Sequence, residues 1–412
     1  MARNLVDMGY RVTVLTASEP GSHLSSWETD LSGIEIIRVP MAKVPKEYGW
    51  AYRLMFRAFW ATKGIPIIEK LVRTISFFFL PMDHHMMLDL TSDKRIEKLN
   101  PTVIIATGGP WSIFEIGRTL SRRIGAELYL DYRDAWNIYS PDLRIGLLHD
   151  LGSGILGRIK SWSNKRRERA IGRHAKGIIS VSENTLNNCM VASGVNNSCL
   201  VLNGYGHEPL DSVEPLSSKM NLTFTGTIHK EQLFDIFIKG VEILRSQHPN
   251  IFEDLQFNLI GVLSSYPSNI DALSVFSNNP QFNIKPYIDL NESIRIQRSS
   301  DVLISIATRG LVGIPGSKLF EYFKAERPIL LISLADDGQE SLLEETNTGS
   351  ICRSAKEVSD LIVQYHSEWR SNHGIEYAPN YNAVQRYSYK EQMKKLALFI
   401  DPEMKTSQHY PH

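Results

Sequence analysis

Short, continuous apolar runs alternate along the chain with longer stretches of helical spacing. VTVLT (12–16), TVIIAT (102–107), ELYLDY (127–132), GIISVS (177–182) and CLVLNG (199–204) mark the first half. LTFTG (222–226), FNLIG (257–261), VLISIA (302–307) and PILLIS (328–333) mark the second. Runs of Val, Ile and Leu separated by helices are those of parallel strands covered on both faces. Strand and helix in regular succession predict an α/β chain with a doubly wound sheet, here twice over. The two series are parted by GHEPLDSVEPLSSK (206–219), which is polar, holds two prolines and has no periodicity, as expected of a linker.

In open parallel sheets, ligands bind beyond the carboxyl ends of the strands. The residues that follow each run are therefore the candidates for chemistry. TVIIAT runs into Gly108, Gly109, Pro110, Trp111 and Ser112, and ELYLDY into Arg133, Asp134, Ala135 and Trp136. CLVL leads to Asn203 and Gly204, LTFT to Gly226 and Thr227, and VLISIA to the stretch GLVGIPGSKLFEYFKAER (310–327). In that stretch Ser317 is the expected N-cap, and Leu319, Phe320 and Phe323 have helical spacing. A glycine loop opening a helix presents free N–H groups and the positive end of the dipole, which suits an anion such as phosphate. The same pattern also serves an ordinary strand-to-helix connection.

Composition narrows the class. A length of 412 residues exceeds one ordinary core, and 42% hydrophobic with 22% charged residues is that of a folded chain. The formal net charge is zero, so the chain as a whole gives no reason to expect nucleic acid. Cys189, Cys199 and Cys352 form no CxxC pair and read as reduced thiols. No His, Cys or Asp spacing suggests a metal site; His84 and His85 are adjacent rather than one helical turn apart.

One segment departs from this neutrality. Residues 43–73 hold seven Lys/Arg against two Glu, a net +5, interleaved with Tyr48, Trp50, Tyr52, Phe56, Phe59 and Trp60, and SFFFLPM follows at 76–82. Basic residues with aromatics suit an interfacial helix on anionic lipid. They equally suit a helical insertion whose aromatics pack on its own domain.

The order of these motifs resembles that of GT-B-fold glycosyltransferases of family 4, the bacterial enzymes that build exopolysaccharide and lipopolysaccharide. The matching stretches are ARNLVDMGYRVTVLT (2–16), PTVIIATGGPWS (101–112), LDYRDAW (130–136), AKGIISVSENT (175–185), LNGYG (202–206), LTFTGTIHKEQ (222–232), GSKLFEYFKAERPIL (316–330) and YSYKEQMKKLALFI (387–400). The resemblance implies two Rossmann-like domains facing a cleft, an acceptor-side domain over 1–205 and a donor domain over 220–384. A C-terminal helix within 385–412 would return to the first domain.

For function, the resemblance implies transfer of a sugar from a UDP- or GDP-linked donor to a glycan or polyprenyl-linked acceptor, with retention and without a metal or other cofactor. The expected location is the cytoplasm or the inner face of the cytoplasmic membrane. Gly226, Thr227, Lys230, Gly316, Ser317 and Lys318 would hold the donor diphosphate, and Glu321 would accept hydrogen bonds from the ribose diol. Otherwise Glu321 is a carboxylate favoured by the helix dipole and Lys230 a solvated loop lysine. Gly108, Gly109, Trp111 and Asn203 fall on the acceptor side. Arg133 and Asp134, the candidate catalytic residues, stand where many members carry a His near the donor sugar. Arg133 could clamp a phosphate or carboxylate, or pair with Asp131 or Asp134.

The chain also departs from the pattern. Members commonly carry a second Glu eight positions before the first, and that position here is Gly313. Subgroups with a Gly-Ser-Lys loop share this lack and present backbone amides to the sugar. A degenerate binder or a nucleotide-sugar epimerase are the alternatives to a transferase. Residues 2–8 read as the end of a first helix and RVTVLT as a second strand, so a further strand and glycine loop, a few tens of residues, are expected upstream.

Overall fold

The computed structural model describes residues 1–18, 31–41, 88–134, 136, 155–206, 214–228, 232–262, 278–309, 315–334 and 338–403, with isolated residues between 53 and 68 and at 273 and 276. The chain divides into two compact units, Met1–Leu202 with Met393–His412, and Asn203–Gln392.

In the first unit, α1 (Ala2–Asp7) leads into β1 (Val12–Ala17), which pairs in parallel with β2 (Ile34–Val39). There follow β3 (Val103–Gly108), α2 (Ser112–Ile124), β4 (Glu127–Tyr132), α3 (Ile155–Gly172), β5 (Ala175–Ser180), α4 (Glu183–Ser193) and β6 (Ser198–Leu200). These last four strands form one parallel sheet in the order β3-β4-β5-β6. Among the described residues no strand joins β1 to β3, and the two sheets stay separate.

Side chains alternate across β4. Leu128, Leu130 and Tyr132 pack with Phe114 and Ile171, while Tyr129 faces Met393, Leu396 and Ile400. The helices are closed locally. Ser182 Oγ accepts from Thr185 N at the start of α4, and left-handed glycines, Gly125 and Gly194, end α2 and α4.

The second unit runs β7 (Met220–Thr225), α5 (Phe234–Gln247), β8 (Leu255–Ile260), β9 (Phe282–Lys285), α6 (Leu290–Arg298), β10 (Val302–Ile306), α7 (Ser317–Ala325), β11 (Ile329–Ile332), α8 (Gln339–Thr346), β12 (Gly349–Cys352) and α9 (Ala355–Asn372). Its sheet has the order β12-β11-β10-β7-β8-β9, parallel throughout. The chain starts at β7, builds outward through β8 and β9, then returns to the other side of β7 with β10. That reversal is the topological switch point, where a crevice forms outside the strand ends.

Both faces of β7 are buried, but they differ in chemistry. Met220, Leu222 and Phe224 enter the apolar core with Phe237, Val241 and Phe257. Asn221, Thr223 and Thr225 form a polar row on the opposite face. Ser300 Oγ donates to Thr223 Oγ1 at 2.6 Å and Gln297 Nε2 to Thr225 Oγ1 at 2.9 Å, fastening the end of α6 to the strand. Buried polar groups persist only when satisfied in this way.

The strands absent from the sequence reading, β2, β9 and β12, all lie at sheet edges. Edge strands are short and partly polar, so FNIK and GSIC lack the apolar runs that mark a buried strand. All three cysteines are free thiols. Among the described residues no helix is long and apolar enough to cross a membrane.

Candidate functional site

The strongest candidate site lies in the second unit, at its switch point. Thr225 ends β7, and Gly226 follows with φ +128°. Its N–H donates to the Ile260 carbonyl at 2.8 Å, which sets it beside Gly261, the residue after β8. A Cβ on Gly261 would stand 3.3 Å from the Gly226 carbonyl, at a φ of +87°. The two strand ends thus approach as bare backbone, in conformations that favour glycine.

Opposite them begins α7. Gly316, with extended φ −62° and ψ 141°, is the N-cap, and Ser317 is the first helical residue. This corrects the expectation for Ser317. An extended glycine placed directly before the helix takes the cap, and its side-chain-free backbone leaves the terminus open. The leading N–H groups of a helix have no partner within it and carry the positive end of its dipole.

Lys318 lies over Gly226, whose added Cβ would meet Lys318 Cε at 3.2 Å. Lys318 Nζ and Glu321 Oε2 pair at 2.9 Å across one turn. The lysine is 43% and the glutamate 27% exposed, so both charges remain open to a ligand. Glu321 lies beyond the first turn, which leaves the helix dipole a weak reason for its presence.

Two residues that the sequence did not single out hold this arrangement. Tyr322 is buried on α7, and its hydroxyl accepts from Thr225 N–H at 3.1 Å. Burial pushes the Tyr322 phenol up to about 12, so it stays neutral. Gln339, the first residue of α8, accepts from Ser305 Oγ at 3.0 Å through Oε1. The same oxygen would lie 3.6 Å from a Cβ on Gly316. Nothing in local spacing announces either role, because each is made by strands distant in sequence.

Thr227 follows Gly226 and is half-buried. Past it, Gln232 bridges to Thr308 and its Nε2 donates to the Ile306 carbonyl at 3.1 Å. The segments following β7 and β10 therefore run side by side. Lys230, Gly313 and the rest of 310–314 lie outside the described residues, as do His84, His85 and most of 43–82.

In the first unit, β3 ends at Gly108 and turns through a cis Gly109–Pro110 bond into Trp111. A Cβ on Gly108 would lie 2.5 Å from Phe114 Cζ, so only glycine lets the aromatic rings close over the strand end. Trp111 stacks on Trp136 with centroids 5.9 Å apart and planes 5° from parallel; Phe114 and Tyr132 complete the group. Trp136 is buried and Trp111 half-buried.

Arg133 takes one of its two expected courses. Its Nε lies 3.2 Å from Asp131 Oδ2, and Asp131 is 1% exposed against 34% for Arg133. Burial raises the Asp131 carboxyl above its ordinary value, opposed by the Arg133 guanidinium beside it. Asp134 is exposed. Gly108, Gly109, Trp111, Arg133 and Asp134 belong to the first unit, while Asn203 is the first residue of the second.

No protein-family model and no curated protein matches the sequence. Solved structures do match. A glycosyltransferase from Rickettsia africae ESF-5 is 11% identical, with 99% of this chain and 93% of that chain covered, at a TM-score of 0.56. Sucrose-phosphate synthase from Thermosynechococcus elongatus is 13% identical, covering 98% and 90%, at 0.52. HepE from Anabaena, in complex with UDP-glucose, is 13% identical, covering 81% and 89%, at 0.51. With its parallel sheets and a helix terminus open at the switch point, the chain has the GT-B glycosyltransferase fold.

Proposed function

We propose that this protein is a retaining glycosyltransferase of the family 4 type. It moves a sugar from a UDP- or GDP-linked donor to a glycan or polyprenyl-linked acceptor in the synthesis of bacterial cell-surface polysaccharide. The observation that carries this reading is the open N-terminus of α7 facing Gly226, with Lys318 and Glu321 on its exposed side. A diphosphate fits that terminus, where backbone N–H groups, the helix dipole and one ammonium meet its charge. A carboxylate one turn further along accepts from the two hydroxyls of a ribose. HepE, a protein of the same fold, was solved with UDP-glucose bound.

In the proposed reaction the bond from the anomeric carbon to the phosphate oxygen breaks, and its electron pair leaves with the diphosphate. The acceptor oxygen bonds to the anomeric carbon on the same face, and its proton passes to the leaving oxygen. The α7 terminus and Lys318 stabilise the charge where it develops, without a metal or other cofactor. Trp111 and the rings behind it offer an apolar platform to an acceptor, and Arg133, part-exposed in its pair with Asp131, offers a cation. The basic aromatic segment 43–82 would bring the enzyme to the inner face of the cytoplasmic membrane.

A non-catalytic nucleotide-sugar binder is the second reading, favoured by Gly313 in place of the expected carboxylate. Calorimetric titration of UDP and GDP into the protein and into Glu321→Ala tests the site. One nucleotide is expected to bind, roughly tenfold or more weaker in the variant, the value of a hydrogen bond to a charged group. If neither binds to folded protein, the donor site as described is wrong. Turnover of a UDP- or GDP-sugar by the wild type separates the enzyme from the binder.

A further inference from the structure

The first unit carries a surface that the donor and acceptor reading does not use. Helix α3 buries Asn164, Glu168 and Ile171, which recur at helical spacing and turn toward the interior. The opposite stripe is Ile159, Trp162, Arg166, Arg169 and Arg173, again three or four residues apart and therefore on one face. Arg173 lies just past the helix, but its N–H still donates to the Arg169 carbonyl, so the last turn carries it.

This stripe is divided along its length. At its start, Ile159 is 45% and Trp162 61% exposed, which is unusual for side chains of this size. At its end stand three arginines, and Arg166 sets its guanidinium 5.6 Å from the centre of the Trp162 ring. From Ile159 to Arg173 there are six Lys/Arg and one acid, Glu168, a net +5 in a chain whose formal charge is zero. Glu168 is 1% exposed, so the solvent face of this stretch carries no acid.

We infer that α3 is a docking face for an anionic phospholipid bilayer, with Trp162 and Ile159 entering the headgroup–acyl boundary and Arg166, Arg169 and Arg173 holding lipid phosphates. Charge complementarity selects an anionic partner. The exposed indole selects lipid over a soluble polyanion, because an indole with an adjacent aliphatic gains from a water–hydrocarbon boundary and not from a phosphate chain. The same unit also exposes Leu54, Ile65, Ile67 and Ile68 together with Arg53 and Arg57, further apolar and basic groups of the kind an interface takes up. The inference stands apart from the donor site and does not need it.

Vesicle flotation of the full chain tests it, using phosphatidylcholine alone and phosphatidylcholine mixed with phosphatidylglycerol. Binding is expected only to the mixed vesicles and is expected to weaken with salt. Arg166→Glu with Arg169→Glu should lower the partition at least about tenfold, given the contribution of each basic residue near such a surface. Trp162→Ser should lower it severalfold and should diminish the blue shift of tryptophan emission that the wild type shows on binding. All these positions are exposed, and unchanged circular dichroism melting confirms that the variants fold.

No flotation of the wild type on anionic vesicles would overturn the inference. So would flotation of the arginine variant equal to the wild type, which would move the contact to another surface. Retention on heparin or DNA without any vesicle binding would assign the stripe to a polyanion instead. Loss in the arginine variant with Trp162→Ser unaffected would overturn the insertion of the indole.

Discussion

Gly226 and Lys318 touch across the switch point of the second unit: a Cβ placed on Gly226 would stand 3.2 Å from Lys318 Cε. The glycine, at φ +128°, is thus held by conformation and by its neighbour at once. Gly226→Ala meets both constraints. Strain of this type costs about 1–3 kcal/mol, and the lysine must also move. The expected result is a lower Tm together with a loss of nucleoside diphosphate affinity larger than that of a control alanine elsewhere in the unit. Affinity preserved at a reduced Tm would show that Lys318 does not need its seat on Gly226.

Lys318 and Glu321 neutralise each other at 2.9 Å, but both are part-exposed, so the pair adds only about 0.2–1 kcal/mol to stability. Their proposed tasks differ, one for phosphate and one for ribose. Lys318→Ala should weaken the preferred nucleoside diphosphate roughly tenfold and leave the free nucleoside unchanged, while Glu321→Ala should weaken both. Titration of the diphosphate and the nucleoside into each variant reads the division directly. Equal losses for both ligands in both variants would reject it.

Tyr322→Phe removes the acceptor for Thr225 N–H and leaves a buried donor at the end of β7. The expected loss is about 1–3 kcal/mol by urea unfolding. The pH dependence has a definite sign. An unfolded tyrosine ionises near its ordinary value of 10.0, whereas Tyr322 in the folded protein holds its proton up to about 12. The stability this contributes is complete below pH 10 and is lost as pH rises toward 12. The phenylalanine variant should therefore show a shallower alkaline decline than the wild type. Parallel profiles would mean that Tyr322 ionises like an unfolded tyrosine.

Asp131 shows the same sign in a lower pH window. Burial raises its carboxyl above the ordinary value of 3.8, so stability is greatest below that value and falls as pH rises through the folded one. Asp131→Asn should be more stable than the wild type at pH 7, and the difference should shrink as pH is lowered toward 4. Thermal melts at several pH values check this. If Arg133 must be aimed by Asp131 for transfer, the same variant will lose turnover while keeping nucleotide affinity.

Helix α7 shows how far a sequence can be read. Gly316, Ser317 and Lys318 followed by Leu319, Phe320 and Phe323 announce a helix opening on a glycine loop, and that is what forms. The cap falls one residue before the position that side-chain preference favours, because Ser317 has the preferred side chain while Gly316 has the geometry. Arg133 shows the limit from the other side: its possible partners, Asp131 and Asp134, were legible, but only the direction of side chains at the end of β4 chose between them.

By itself the sequence determined the α/β class, the buried strands and the glycines at their ends. Those are local signals, made by continuous apolar runs and by breaks in them. Tertiary structure alone decided that β7 lies between β8 and β10, since strand order is fixed by packing across the sheet and not by neighbours in the chain. From that order follow the contact of Gly226 with Gly261 and Lys318, and the support of α7 by Tyr322 and of Gly316 by Gln339. Such contacts join residues as far as 97 positions apart, and short-range spacing carries no trace of them.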